Sequence, residues 1–90
     1  MVYAISYDLN RPGQSYLKLY DAIKGVGGYW WHYLDSLWLV DSALSAQQIY
    51  ERLKPVLDAN DYFVIFEVGR DHQGWLPREA WDWIQARVLA

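Results

Sequence analysis

Strand-type and helix-type stretches alternate in the order strand, helix, strand, strand, helix, strand, and a further helix follows. That order predicts an α+β domain of the ferredoxin-like βαββαβ kind. Two helices cover one face of a four-stranded antiparallel sheet, joined by right-handed crossovers, and a C-terminal helix is added. Composition sets the scale: 90 residues, 53% hydrophobic and 21% charged, with no cysteine. A chain of this size has room for one domain, 1–90, in which 70–90 form a C-terminal loop and helix extension. Neither a disulfide nor a cysteine-bound zinc can brace it.

Val2 to Leu9 is rich in β-formers, with Tyr3, Ile5, Tyr7 and Leu9 on one side and Val2, Ala4, Ser6 and Asp8 on the other. Asn10 to Ser15 is turn chemistry, since Asn closes side-chain turns, Pro12 fixes φ and Gly13 permits positive φ. Tyr16, Leu19, Tyr20 and Ile23 keep the spacing of one helical face, and Gly25 with Gly27-Gly28 is expected to cap that helix. Tyr29–Leu34 and Leu37–Val40 read as antiparallel strands joined through Asp35-Ser36, a tight hairpin without the usual glycine. Ser45 and Gln48 make a capping box for a second helix carrying Ala46, Ile49, Tyr50, Leu53 and Leu57, which Pro55 should kink or end. Tyr62 to Val68 alternates Tyr62, Val64, Phe66 and Val68 against Phe63, Ile65 and Glu67, a strand buried on one side and at least partly on the other. Pro77 is suited to the first position of a last helix that carries Trp81, Ile84 and Val88 on one face.

The aromatic load is high: eight Tyr, six Trp and two Phe, 18% of the chain. A small core has little room for so many rings, and aromatic side chains are favoured at interfaces, so composition points to a homo-oligomer. Two helices leave one sheet face open, to be covered by the C-terminal helix, by a second copy or by a ligand. Trp30, Trp31 and Trp38 are assigned to the surface a second protomer covers. Trp81 and Trp83 project about 200° apart on a helix, so one should pack on the sheet while the other, Trp83, reaches the dimer interface. The same rings could instead stack nucleic-acid bases. However, no basic and glycine-rich motif precedes Leu37–Asp41, and a net charge of -3 gives no general pull on phosphate. No apolar run is long enough to cross a membrane, and the first residues lack a basic leader, which together with the missing cysteines points to the cytoplasm.

Asp8 is the candidate for chemistry, because a strand end presents a carboxylate rigidly. It has two readings. Asp8 can close an Asx turn with the following loop, or two copies across a two-fold axis can share one Mg²⁺, which needs only one or two carboxylates. His32 and His72 belong to no closely spaced ligand set and read as structural or solvated.

The sequence Ser6-Tyr7-Asp8-Leu9, followed by Pro12-Gly13, by Leu19-Tyr20-Asp21-Ala22-Ile23-Lys24 and by Leu34-Asp35-Ser36-Leu37-Trp38, resembles the SinR-like proteins grouped with the small CRISPR-associated ferredoxin-like endoribonucleases. The likeness spans most of residues 1 to 68. It implies a homodimer in antiviral defence whose paired Asp8 residues flank a divalent-metal site, Mg²⁺, able to support cleavage of RNA or DNA. Asp8 is then both metal ligand and catalytic residue, Arg11 the phosphate contact, and Tyr7 and Ser36 neighbours in the cleft. Nucleases of that family carry several basic residues after the first strand, whereas Arg11 stands alone here. The alternative is a non-catalytic dimeric interaction or adaptor module, in a defence or toxin-antitoxin setting, with a protein as partner.

Overall fold

The structure, a computed structural model, describes residues 1–9 and 16–88. Four strands, β1 (Val2–Asp8), β2 (Tyr29–Leu34), β3 (Leu37–Asp41) and β4 (Tyr62–Glu67), form one sheet in the order β2-β3-β1-β4. All three neighbouring pairs are antiparallel. Helix α1 (Leu17–Lys24) links β1 to β2, α2 (Ala46–Leu53) links β3 to β4, and α3 (Arg78–Val88) follows the last strand. This is the ferredoxin-like α+β fold with an added C-terminal helix. The two outer strands, β2 and β4, differ in their neighbours, and that difference positions everything below.

Local chemistry accounts for the element ends. Ser45 Oγ accepts from Gln48 N at 3.1 Å while Gln48 Oε1 accepts from Ser45 N at 2.9 Å, which completes the capping box of α2. Pro55 then ends the α-helix, and Lys54–Val56 continue as a 3-10 turn. Asp35-Ser36 form a two-residue hairpin turn with Leu34 opposite Leu37, and an irregularity between Trp31 and Leu34 twists β2. Pro77 stands one place outside α3, its carbonyl accepting from Trp81 N at 3.4 Å and Ala80 N at 3.0 Å.

Gly25 caps α1 as expected, its N–H donating to Asp21 O at 3.1 Å and Ala22 O at 3.2 Å, but it does so with right-handed angles, φ -79° and ψ -12°, and not as a left-handed turn. Gly27 is the position that demands glycine, because a Cβ there would meet the Asp41 carbonyl oxygen at 2.5 Å. The loop is thereby drawn against the end of β3. Buried Ser42 fastens it there, its hydroxyl donating to Val26 O and accepting from Leu44 N.

On one side of the sheet Tyr3, Ile5 and Tyr7 of β1 and Trp38 and Val40 of β3 pack under Leu19 and Ile23 of α1 and Ile49 and Leu53 of α2. Phe63 and Ile65 of β4 join this core from its edge. On the other side Val2, Trp31 and Leu39 pack under Ala80 and Ile84 of α3. The C-terminal helix is thus the cover for the second face, but only for part of it. Among the described residues no helix is long and apolar enough to cross a membrane.

Candidate functional site

The end of β1, the β2-β3 hairpin and the start of α1 enclose a cleft of about 310 Å³. Tyr7, Asp8, Leu9, Tyr16, Tyr20, Asp35 and Ser36 line it. The alternation of β1 decides their roles: Tyr7 turns toward the helices and is buried, whereas Asp8 turns to the other side and is exposed. Ser36 is held at the cleft by its backbone, since its carbonyl accepts from Tyr7 N at 3.2 Å.

Tyr7 is the fixed wall of the cleft. Its hydroxyl donates to Asp35 O at 3.0 Å and accepts from Trp38 Nε1 at 3.2 Å. Burial pushes the Tyr7 phenol well above its ordinary range, the neighbouring Tyr20 hydroxyl adding in the same direction and the Trp38 bond opposing. Tyr7 therefore donates and does not serve as an anion. Rings continue outward from it: Tyr16 lies 6.5 Å from Tyr7, and Tyr20 5.9 Å from Tyr16. Tyr20 in turn reaches His32 at 5.1 Å and Trp38 at 5.2 Å. His32 stacks on Trp38, with centroids 4.1 Å apart, and its Nε2 pairs with Asp35 O at 3.2 Å, a structural place. His72 likewise bonds Gly69 O through Nδ1 at 2.7 Å.

Tyr7, Asp8 and Ser36 thus meet at one cleft, while Arg11 lies outside the described residues. Asp35, Tyr16 and Tyr20 join them as cleft residues that the sequence pattern does not single out, although Asp35 carries a signal as the other half of the same two-residue turn. Among the described residues that line the cleft there are two carboxyl groups and no basic group. No cluster of three or more His, Cys, Asp or Glu residues gathers among the described residues. Asp8 and Asp35 are the carboxyl groups on the described lining, oxygen donors of the type Mg²⁺ takes together with several waters.

The tryptophans assigned to a partner do not make one patch. Trp38 is 1% exposed because it shares the Ile5 side of the sheet and fills the helix-side core. Trp31, 3% exposed, lies beneath α3. Burial inside their own chain removes both from an outer surface. Trp30 shares the helix side with Trp38, 5.1 Å away, and lies under Lys24 Nζ at 4.8 Å, half open at the edge strand β2. Trp83 flanks α3, where the Arg87 guanidinium is sandwiched 4.6 Å from its ring and 4.5 Å from that of Tyr29. Trp81 packs on the opposite flank beside His72. The two indoles of α3 therefore diverge as expected, but each has a contact in this chain.

Among the described residues, open large apolar residues occur at several places, Leu17, Tyr29 and Tyr33 among them, but only on β4 do three fall on one side of a single strand. Tyr62, Val64 and Phe66 all project from the outer side of β4, 70%, 42% and 62% exposed. Beyond them, the loop before α3 and the sheet enclose a second cavity, about 270 Å³, lined mainly by Leu34, Leu37, Leu39, Val68, Trp81 and Ile84, with Trp75 at its rim. Trp75 is 99% exposed. No protein-family model matches the chain, and no curated protein matches its sequence.

Proposed function

We propose that the protein is a homodimeric interaction module of the ferredoxin-like kind, similar to the SinR-like proteins, in which a second copy covers the bare half of the outer sheet face. The observation that carries this reading is the stripe Tyr62, Val64 and Phe66. It runs along β4 on the side that α3 leaves uncovered, beside Ala4 and Ser6 of β1. Three neighbouring large apolar side chains on a flat strand are a costly surface to leave in water and an efficient one to pair. An isologous dimer matches such a strip with itself. Sedimentation equilibrium tests the reading: self-association to twice the chain mass is expected, and a mass independent of concentration at one chain is not compatible with it.

A second reading concerns Asp8. It faces the same side as the stripe and pairs in register with Tyr62. A two-fold axis near that end of β4 would bring two Asp8 carboxyl groups toward each other, as the family likeness implies for a nuclease. A bound Mg²⁺ would supply an activated water and charge neutralisation for phosphodiester cleavage. The chain's part would be to hold the metal through Asp8 and to fix the cleft wall through Tyr7 and Ser36. Asp35 weighs against this reading, because it adds a second carboxyl group to the cleft of a chain whose net charge is already -3. Cleavage of single-stranded RNA and double-stranded DNA with Mg²⁺, comparing wild type with Asp8→Ala, separates the two. Activity lost in the variant supports the nuclease; no difference leaves the interaction module.

A further inference from the structure

Trp75 and the cavity beside it are a knob and a hole in the same patch. A tryptophan at 99% exposure leaves essentially its whole side chain in water, although it stands at the rim of an apolar cavity walled by Leu34, Leu37, Val68, Trp81 and Ile84. At about 270 Å³ the cavity falls just below the roughly 300–1,000 Å³ of small-molecule sites. That size suits a single large side chain better than a metabolite. A knob beside its own hole is what a two-fold dimer requires, since each copy must offer both halves of every contact.

The patch is also continuous with the β4 stripe. Leu37 and Leu39 on the cavity floor lie opposite Ser6 and Ala4 of β1, and these lie opposite Val64 and Phe66 of β4. The exposed fractions of Trp75, Tyr62 and Phe66, at 150–250 Å² per ring, come to roughly 350–580 Å². Val64 and Leu34 enlarge this toward the ~800 Å² per partner of a standard interface. We infer that Trp75 of each protomer inserts into the apolar cavity of the other, a reciprocal pair of contacts that anchors the dimer. This rests on the dimer reading above and gives it its anchor residue.

The test uses the separation of knob from hole. Trp75→Ala removes the knob, and Leu34→Arg places a charge at the rim of the hole. Sedimentation equilibrium of wild type, of each variant and of their equimolar mixture is the measurement, with circular dichroism to confirm that both variants keep the fold. Each variant alone is expected to dimerise at least about 30-fold more weakly than wild type, the scale of a tryptophan hot spot. The mixture should associate more tightly than either variant alone, because one intact knob then meets one intact hole. A wild-type dimer unaffected by Trp75→Ala, or a mixture no tighter than its components, overturns the anchor and leaves the dimer reading standing. A wild type that stays monomeric overturns both. Iodide quenching supplies an independent readout: the quenchable emission that wild type shows in excess of Trp75→Ala should shrink as concentration rises, and no such excess in dilute monomer would show the indole folded into its own cavity and sink the exchange.

Discussion

The two faces of the sheet come from the same strands and the same alternation of side chains, yet they are completed in different ways. The helix side is closed over its two central strands and partly over its edges, where Trp30 stays half open. Trp38, Val40, Ile5, Ile23, Ile49 and Leu53 are almost wholly buried, and even edge strand β4 contributes Phe63 and Ile65 to the cover. The opposite side is closed only over Val2, Trp31 and Leu39, where α3 lies, and is bare along β4. One helix, about 10–12 Å across with its side chains, covers about two strands set about 4.8 Å apart, whereas two helices cover four. The difference teaches that burial within one chain can set a fold while leaving a specific apolar surface unfinished. The sequence invests in that surface: Tyr62, Val64 and Phe66 stand where polar residues would satisfy a monomer.

If the helix side alone carries the fold, its mutants must suffer most. Trp38→Ala is expected to cost about 3–5 kcal/mol in urea unfolding, because it empties the centre of that core and strips Tyr7 of its indole donor. The α3 side should tolerate more. Ile84→Ala is expected to cost about 2–3 kcal/mol, and a value equal to that of Trp38→Ala would erase the asymmetry.

Tyr7 sharpens the comparison at the cleft end of the helix-side core. Tyr7→Phe should cost about 1–3 kcal/mol, since it leaves the buried Trp38 N–H without an acceptor. Its pH dependence has a definite sign. The folded phenol binds its proton more tightly than the unfolded one, so its contribution is fully present below the ordinary tyrosine value of about 10 and is lost as pH rises above it. Unfolding free energy measured from pH 8 to 11 should therefore fall above about pH 10, with a shallower fall in Tyr7→Phe. Smallest of all on the fold should be the bare stripe: Val64→Ser is expected to change the stability of the dilute monomer by less than about 0.5 kcal/mol. The same substitution should weaken self-association severalfold in sedimentation, so that effects on folding and on assembly separate along one strand.

Much of this fold was readable residue by residue. The capping box at Ser45 and Gln48, the two-residue turn at Asp35-Ser36 and the helix after Pro77 are local signals with local causes, and each stands where the sequence places it, to within a residue. Side-chain parity in β1 also separates Tyr7 from Asp8. What was not readable is set by pairing across the chain. Alternation in Tyr62–Val68 shows that the strand has two sides, but only its place at the sheet edge, decided by β1 pairing with β3 and β4, determines that one side stays open. Trp38 shows the same thing: its residue type suits an interface, but register with Ile5 turns it inward. At the cleft, Asp8 could be picked out by its strand-end position, and Tyr7 and Ser36 stand at the neighbouring strand position and in the hairpin turn beside it. The three-tyrosine lining depends on how α1 docks and left no mark in local spacing.

The central claim is that a second copy completes the bare half of the outer face, and charge placed there is the most direct probe of it. Sedimentation equilibrium of wild type and Phe66→Asp across a wide concentration range is the deciding measurement. The account predicts a wild-type mass that rises to twice that of the chain and a variant that remains a folded monomer at the same concentrations. A wild-type protein of single-chain mass throughout, or a Phe66→Asp variant that dimerises as well as wild type, would contradict it.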